Sequence, residues 1–483
     1  MRKRECFVFP ASVLPGLSAP CRAVGAALLT ALAALQGAEA PKPTVKPNIV
    51  VILADDQGRG DYSAFGTKDL RTPHMDRVFR EGITFQNFFA NSCVCSPSRA
   101  SLLTGCYPDR VGVPGVIREE TPDDSWGYLS PGARLLPQLL KPAGYHTAII
   151  GKWHLGIGSP NTPTERGFDF FHGFLGDMMD DYWTHRRHGH NFMRRNQEVV
   201  DPQGHATDIF TGWACDYLAE RAKAGGPFLL YLAYNAPHDP VQPPPEWLEK
   251  VRQREPGVSE KRARLVALIE HLDAGIGQVL EALDRTGLAT NTLVIFTSDN
   301  GGVLANGANN GPWRSGKGHM YEGGLRVPGA ARWPGVIRPR ASTDRVTLTM
   351  DIFATACSVA GVEPPPNIDG VSFLPTLRGE AGEHDRRDCY FVRREGGPAY
   401  GGKTIEAFRR GQWKLVQDSP FAELELYDLK SDPQEASDLA RKRREIFIEL
   451  GGALRQQIQR GGSTPWQKPV SEAGVPTTNT SIH

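Results

Sequence analysis

A cysteine, a proline and an arginine stand close together in the segment Cys95-Ser96-Pro97-Ser98-Arg99. Pro97 suits the first turn of a helix, because its fixed φ fits that turn and its missing N–H would have no partner there. Arg99 lies on the same turn, and a short apolar stretch then ends at Thr104-Gly105. The N-terminus of a helix presents unpaired N–H groups and the positive end of its dipole. The segment therefore predicts an anion site beside Cys95, and an ordinary capped helix with a buried cysteine is the simpler alternative.

A second group of residues offers oxygen atoms that could bind a cation. Asp55-Asp56 follows one apolar run and Asp299-Asn300 follows another. Carboxylate and amide oxygens suit hard cations such as Ca²⁺ or Mg²⁺, whereas zinc usually recruits His or Cys. An isolated Asp-Asp pair is more often a solvated turn. Two aspartates at a buried strand end would repel each other without a cation, so the two pairs together predict a divalent metal site.

Four apolar runs have the character of buried parallel strands. They comprise residues 49–53, 146–150, 228–232 and 293–296, and a clear amphipathic helix over 260–285 separates the last two. Strands that alternate with helices predict an α/β fold with a mainly parallel sheet between helices. Ligands bind beyond the carboxyl ends of such strands. We therefore expect the polar clusters that follow the four runs, which contain Asp55, Lys152, His238 and Asp299, to meet at one edge.

The pattern changes after about residue 375. Residues 410–416 and 424–428 alternate as a hairpin would, and 431–435 predict a turn into a helix that ends near Arg460. We predict a small C-terminal antiparallel sheet with a helix. The expected organisation is a signal peptide (1–40), a catalytic domain (41–375), a C-terminal α+β subdomain (376–460) and a polar tail (461–483).

The N-terminus resembles a secretory signal, with basic residues, an apolar run from Val24 to Leu35 and a small-x-small site at Ala38-Glu39-Ala40. That run is too short to span a membrane, and no other stretch resembles a span. The formal net charge of +1 gives no support for a nucleic-acid or membrane-surface binder. We expect an exported bacterial protein, either periplasmic or secreted, with neither a nucleic-acid partner nor a membrane span.

The segment 95–105 resembles the signature of the type I sulfatases, Cys-x-Pro-Ser-Arg followed by Leu-Thr-Gly at the family's spacing. Further segments are similar to the same family in order and spacing across about residues 48–334. They are Gly-Lys-Trp-His-Leu-Gly with Lys152 and His154, Ala-Pro-His-Asp-Pro with His238, and Trp-Arg-Ser-Gly-Lys-Gly with Lys317 followed by Glu-Gly-Gly-Leu-Arg-Val-Pro. Singly, each histidine would more often be structural. Together the segments indicate a formylglycine-dependent, arylsulfatase A/B-like sulfatase with the fold of the alkaline phosphatase superfamily.

The resemblance implies a site and a chemistry. A maturation enzyme would oxidise Cys95 to formylglycine (3-oxoalanine), whose hydrate attacks the sulfur of a sulfate ester. The family holds one divalent cation, usually Ca²⁺ with Mg²⁺ as the alternative, and the implied ligands are Asp55, Asp56, Cys95, Asp299 and Asn300. The implied catalytic residues are Cys95, Arg99, Lys152, His154, His238 and Lys317. The implied substrate is a sulfated carbohydrate or an aryl sulfate.

The identity of the substrate rests on weaker signals. The segments around His238 and Trp313 resemble the arylsulfatase B-type branch, which acts on N-acetylgalactosamine 4-sulfate, although another polysaccharide unit fits an exported bacterial protein equally well. The segment 177–195 is rich in His, Arg and Asp. It is best interpreted as a solvated loop, then as a substrate rim, and least as a second metal site. It does not let us place the small polar residue with which arylsulfatases contact sulfate.

Two other functions are compatible with the sequence. A phosphonate or phosphoester hydrolase of the same superfamily shares the Cys-x-Pro-Ser-Arg motif. A non-catalytic glycan-binding protein that is never matured at Cys95 is a different class. Residues 311–318 are similar to a phosphate-binding P-loop. No Ser or Thr follows Lys317, however, and no clear strand pattern precedes the segment, so we reject a P-loop.

Overall fold

The computed structural model describes residues 46–118, 125–380, 387–396 and 402–468. The predicted signal peptide (1–40) and the last part of the predicted tail lie outside these residues. Among the described residues the strands are, in chain order, β1 (Asn48–Ala54), β2 (Ile83–Phe89), β3 (His146–Lys152), β4 (Phe170–Phe174), β5 (Arg186–Arg187), β6 (His190–Asn191), β7 (Met193–Arg195), β8 (Glu198–Val199), β9 (Phe228–Ala233), β10 (Thr292–Ser298), β11 (Gly329–Arg332), β12 (Ala341–Leu348), β13 (Asp388–Arg394), β14 (Thr404–Arg410), β15 (Trp413–Gln417) and β16 (Glu425–Asp428).

The α-helices and short 3₁₀ helices connect and flank these strands. The α-helices of the described residues are α1 (Pro73–Glu81), α2 (Cys95–Thr104), α3 (Leu136–Leu140), α4 (Ala206–Ala224), α5 (Pro245–Arg254), α6 (Glu260–Arg285), α7 (Glu322–Leu325), α8 (Asp351–Ala360), α9 (Leu374–Leu377) and α10 (Arg444–Gly461). The 3₁₀ helices are Ser63–Phe65, Pro108–Val111, Lys141–Ala143, Ala289–Asn291 and Leu304–Asn306.

A ten-stranded mixed sheet has the order β12-β2-β11-β10-β1-β9-β3-β4-β7-β8. Its centre is parallel: β1 lies between β10 and β9, and β9 pairs with β3. These central strands are buried along their whole length apart from the first residue of β3, which explains their continuous runs of Val, Ile, Leu and Phe. Helices α1, α4 and α5 pack on α6, and helices α2 and α3 pack on α8. The predicted α/β fold with a mainly parallel sheet and flanking helices is confirmed.

A second, four-stranded antiparallel sheet has the order β13-β14-β15-β16, so the predicted C-terminal sheet is also confirmed. The predicted hairpin forms between β15 and β16, where Trp413 pairs with Asp428. The buried face of this sheet shares one apolar cluster with residues that adjoin the large sheet, among them Phe89, Met320 and Leu325. The predicted subdomain boundaries at 375 and 460 stay predictions.

The C-terminal helix begins later than the turn at residues 431–435 predicts. Asp432 accepts hydrogen bonds from the N–H groups of Ala436 and Ser437, and Asp438 accepts from Leu426 and Ala440. These side-chain bonds hold the chain in turns, because short acidic side chains compete with the helix for backbone donors. Helix α10 therefore starts only at Arg444. Beyond α10, Trp466 stacks on Trp126 with ring centroids 4.7 Å apart.

Within the described part of the chain, none of the helices combines the length and apolar character that a membrane span requires. The six described cysteines are all free thiols, in agreement with their scattered spacing.

Candidate active site

Four strand ends bring the predicted polar clusters together. Strands β10, β1, β9 and β3 are neighbours and parallel, so their carboxyl ends lie at one edge of the sheet. Strand β2 runs in the same direction as β10, because both are antiparallel to β11 between them. Helix α2, which begins with Cys95, therefore starts at this same edge. The structure places the expected residues where ligands bind in open α/β sheets.

Side-chain hydrogen bonds shape the start of α2. The Ser98 hydroxyl accepts from the Ser92 N–H at 3.2 Å and donates to the Ser92 carbonyl at 3.0 Å. The Ser96 hydroxyl accepts from the Ile117 N–H at 3.1 Å. These bonds anchor the turn that holds Cys95, which is buried with 3% of its surface exposed. The helix ends where Gly105 adopts a left-handed φ of 71°, which glycine adopts at little cost.

The Cys95 side chain lies against two carboxylates. Its Sγ is 3.6 Å from Asp55 Oδ1 and 3.9 Å from Asp56 Oδ1. Asn300 Nδ2 donates to Asp56 Oδ1 at 2.7 Å, and the Asp56 N–H donates to Asp299 Oδ1 at 3.1 Å. All five residues are buried. Asp55-Asp56 and Asp299-Asn300 are more than 240 residues apart in the chain, yet they form one cluster of oxygen-bearing side chains beside Cys95.

Three cationic side chains lie among these carboxylates. Lys152 Nζ is 2.6 Å from Asp55 Oδ2, and Lys317 Nζ is 2.7 Å from Asp56 Oδ2. Arg99 Nη2 lies 2.8 Å from Asp299 and 3.4 Å from Asp55. Burying a charge is unfavourable unless an opposite charge lies beside it, and here each cation contacts a carboxylate.

The cations act differently on the carboxylates. Burial opposes ionisation of Asp55, yet Lys152, His238 and Arg99 hold its pKa well below the usual range. Burial and the neighbouring Asp55 raise the pKa of Asp299 to about 7, although Arg99 opposes this shift. Without a bound cation, Asp55 therefore stays ionised, whereas Asp299 can take up a proton near neutral pH.

Two histidines complete the cluster. His238 Nε2 lies 3.0 Å from Lys317 Nζ, and burial with the Lys317 charge lowers the His238 pKa. His154 Nε2 is 3.1 Å from the Ile117 carbonyl, and burial with the charges of Lys152 and Arg99 lowers the His154 pKa well below its usual value. Burial therefore favours the neutral form of both rings. His154 and Asp56 have left-handed φ values of 57° and 65°, a strain that concentrates at functional sites.

The donors fit a hard divalent cation. Ligand atoms of Asp55, Asp56, Cys95 and His238 lie within 4.8 Å of one another. Asn300 Oδ1 is buried and makes no hydrogen bond with any residue that the structure describes. A buried acceptor without a donor is costly, and a cation would satisfy it. Asp55, Asp56, Asp299 and Asn300 supply the oxygen-rich set that Ca²⁺ or Mg²⁺ prefers.

The charged segment 177–195 lies beside the site and is tied together internally. Arg187 pairs with Asp177 at 2.9 Å and with Asp180 at 2.8 Å. Tyr182 OH donates to the His238 carbonyl at 3.0 Å and so fixes the segment to the loop of that histidine. The metal clusters found among the described residues do not include the histidines of this segment.

The site residues predicted from the sequence end at Lys317, but the C-terminal sheet also reaches this edge. Arg393 Nη1 and Lys403 Nζ each donate to the Gly318 carbonyl at 3.3 Å. The Gly318 N–H in turn donates to the Cys93 carbonyl at 2.9 Å. No motif in the sequence marks these two cations, because their position depends on how the two sheets pack.

Comparisons with known proteins agree with this geometry. The chain is 36% identical over 397 residues to human N-acetylgalactosamine-6-sulfatase, with 78% of this chain and 72% of the relative covered. It is 29% identical over an alignment of 495 residues to N-acetylgalactosamine-6-O-sulfatase of Bacteroides thetaiotaomicron, with 85% and 92% covered. The crystal structure of Ps i-CgsB in complex with k-i-k-neocarrahexaose superposes with a TM-score of 0.79 at 28% identity, covering 88% of this chain and 95% of that one.

Family models cover most of the described chain. The model described as N-sulphoglucosamine sulphohydrolase, C-terminal, matches residues 313–460. The model described as Sulfatase matches residues 47–362, which include Cys95 and every polar cluster at the sheet edge. The chain therefore belongs to the sulfatase family and is a sulfuric ester hydrolase.

Proposed function

We propose that this protein removes sulfate from a sulfated carbohydrate, with formylglycine formed from Cys95 and a divalent cation, Ca²⁺ or Mg²⁺, at the carboxylate cluster. One observation carries the proposal. Cys95 is the first residue of helix α2, and its Sγ lies 3.6 Å from Asp55 Oδ1, inside a buried group of carboxylates and cations. That environment suits the tetrahedral, negatively charged sulfate group of an ester, held by cations and by the helix N-terminus.

The substrate is best sought among 6-sulfated amino sugars. The relatives named N-acetylgalactosamine-6-sulfatase and N-acetylgalactosamine-6-O-sulfatase support the 6-position over the 4-position that the sequence segments suggest. An oligosaccharide in the superposed crystal structure is consistent with a carbohydrate substrate. Fold and core motifs decide the reaction type, whereas the sugar is selected outside the sulfate pocket.

The bound groups would supply two kinds of chemistry. A cation on Asp55, Asp56, Asp299 and Asn300 would neutralise sulfate charge, and a hydrated aldehyde at position 95 would supply a nucleophilic hydroxyl and a second hydroxyl for release of sulfate.

Three cationic side chains hold the sulfate group and compensate its negative charge. Arg99, Lys152 and Lys317 reach the same space from α2, β3 and the loop after β10. Each cation is already oriented by an aspartate, so little reorganisation is needed when the substrate arrives. Such preorganised charges stabilise the charge that develops on the sulfate oxygens.

Three groups of the site carry out the proposed proton transfers. Asp299, which lies within hydrogen-bond distance of Arg99 and of the Asp56 N–H beside Cys95, accepts the proton of the attacking hydroxyl. The Lys317–His238 pair delivers a proton to the leaving oxygen of the sugar. His154, which is neutral because burial lowers its pKa, accepts the proton of the second hydroxyl.

Export and maturation complete the proposal. The predicted signal peptide would direct the chain to the periplasm or the medium, and a formylglycine-generating enzyme would act on the segment around Cys95 first.

The proposal is tested on protein from its native host. The tryptic peptide from Glu81 to Arg99 should have the mass of the aldehyde form, and the same preparation should release sulfate from 6-sulfated N-acetylgalactosamine faster than phosphate or phosphonate from matched esters. A thiol in most molecules, or a preference for the phosphorus esters, would refute it. The Cys95→Ala variant serves as the control for contaminating sulfatases.

A further inference from the structure

A group of cations adjoins the leaving-group side of the site without a catalytic assignment. Arg393 is the second-last residue of β13, where it pairs with Ile405, and Lys403 directly precedes β14, so the two lie at one end of the C-terminal sheet. Both donate to the carbonyl of Gly318, the residue that follows Lys317. Since Lys317 pairs with His238, the two cations adjoin the side from which the sugar would leave.

Hydrogen bonds fix this end of the small sheet to the Cys95 loop. The Ser92 hydroxyl donates to the Val392 carbonyl at 2.9 Å, beside Arg393. The Gly318 N–H donates to the Cys93 carbonyl at 2.9 Å. The cations are therefore placed by the same stretch of backbone that places Cys95.

Among the described residues, the carboxylates near these cations contact other groups than Lys403. Glu395, which is fully buried, accepts from Arg393 Nε at 2.9 Å and from Arg118 Nη2 at 3.1 Å. The nearby Asp418 instead accepts from His319 at 2.6 Å. No carboxylate of the described residues forms an ion pair with Lys403, whose ammonium is half-buried against a carbonyl oxygen.

A half-buried ammonium without a counterion is unfavourable, because it loses water without gaining a charge partner. An anion brought by the substrate would compensate Lys403 and lie beside the guanidinium of Arg393. Arg393 is 8% exposed and pre-oriented by Glu395, as a guanidinium that recognises carboxylate or sulfate should be.

We propose that Arg393 and Lys403 form an anion subsite that binds a second acidic group of the substrate. That group is either the carboxylate of a neighbouring hexuronate or a second sulfate ester on the same sugar. The subsite rests on the proposed function, because it names the class of sulfated carbohydrate, a polyanionic one, that the same active site takes.

The test compares Lys403→Met with wild-type enzyme on three substrates: 6-sulfated N-acetylgalactosamine, its disaccharide with a hexuronate, and the 4,6-disulfated monosaccharide. Loss of one charge-assisted contact should lower kcat/KM for a polyanionic substrate about tenfold more than for the monosulfated sugar, mainly through KM. A selective effect on the disaccharide assigns the carboxylate, and one on the disulfated sugar assigns the second sulfate. The same factor on all three substrates would overturn the subsite.

A control and a binding measurement separate this proposal from the proposed function. Lys430, which is exposed just after β16, lies at the opposite end of the same sheet, so Lys430→Met should leave all three rates unchanged. Calorimetric binding to the Cys95→Ala protein does not require turnover. If Lys403→Met weakens binding of a polyanionic sugar there by about tenfold, the subsite holds even if the enzyme prefers another ester. Equal affinities with and without Lys403 would refute it.

Discussion

Lys317 and His238 are joined by a direct hydrogen bond, with Lys317 Nζ 3.0 Å from His238 Nε2. A charged ammonium only donates, so Nε2 accepts and the ring proton lies on Nδ1, which donates to the Asp239 carbonyl at 2.9 Å. Although burial opposes it, Asp56 raises the pKa of Lys317, which keeps the ammonium charged. In the proposed mechanism, Lys317 would therefore supply the proton for the leaving oxygen, and His238 would orient its ammonium group.

Replacement of Lys317 should reveal the protonation of the leaving group. Lys317→Met should lower kcat/KM for 6-sulfated N-acetylgalactosamine about 100-fold more than for 4-nitrophenyl sulfate, because nitrophenolate leaves without a proton. Steady-state kinetics on both substrates check this expectation. Lys250→Met, at an exposed position of α5, is the matched control. Equal losses on both substrates would assign Lys317 to sulfate binding alone.

Replacement of Cys95 should abolish turnover without unfolding the chain. Cys95→Ala removes the group on which the proposed chemistry depends, so kcat/KM should fall by more than about 10³-fold. The midpoint of thermal unfolding, followed by circular dichroism, should stay close to that of the wild type, since the hydrogen bonds that the Ser96 and Ser98 hydroxyls accept from backbone N–H groups remain. Residual activity within tenfold of the wild type would contradict the mechanism.

Removal of the divalent cation should lower both activity and stability. A cation at about 100 times its Kd stabilises a folded protein by about 2.7 kcal/mol, and chelation forfeits this contribution. We expect EDTA to lower the midpoint of thermal unfolding and added Ca²⁺ or Mg²⁺ to restore it.

Metal analysis by mass spectrometry should find about one ion per wild-type chain and less in Asp56→Asn. Glu249→Gln is the control, because Glu249 is an exposed carboxylate of α5 outside both metal-capable clusters of the described residues. The same metal content in Asp56→Asn as in the wild type would contradict the assigned ligands.

The two sheets are joined by a buried lysine. Lys414 of β15 is fully buried, with Nζ 3.0 Å from Glu322 Oε1 and 2.8 Å from Glu435 Oε1. Lys414→Met leaves both carboxylates without this partner and should lower the free energy of unfolding by about 3–5 kcal/mol. Urea denaturation measures the loss, and the double variant Lys414→Met/Glu435→Gln should recover part of it. A loss no larger than that of Lys430→Met would show that the buried charges are solvated.

Local patterning determined much of this site. The apolar runs and the polar residues directly after them specify which side chains follow β1, β3, β9 and β10. Because parallel neighbouring strands end at one edge, Asp55, Lys152, His238 and Asp299 could be expected to meet before any contact was known. The periodicity of residues 260–285 likewise specified α6, since a helix with one apolar face needs no distant information.

Only the tertiary structure decided which charges pair. The Lys317–His238 bond joins residues 79 positions apart, and the Gly318 contacts of Arg393 and Lys403 join the loop to another sheet. Asp432 and Asp438 delayed helix α10 through side-chain bonds that propensity alone does not predict. Periodicity reports which face of an element is buried, but the direction of a long charged side chain depends on packing against elements remote in sequence. The sequence alone therefore indicated the reaction type, whereas the proposed anion subsite could be inferred only from the fold.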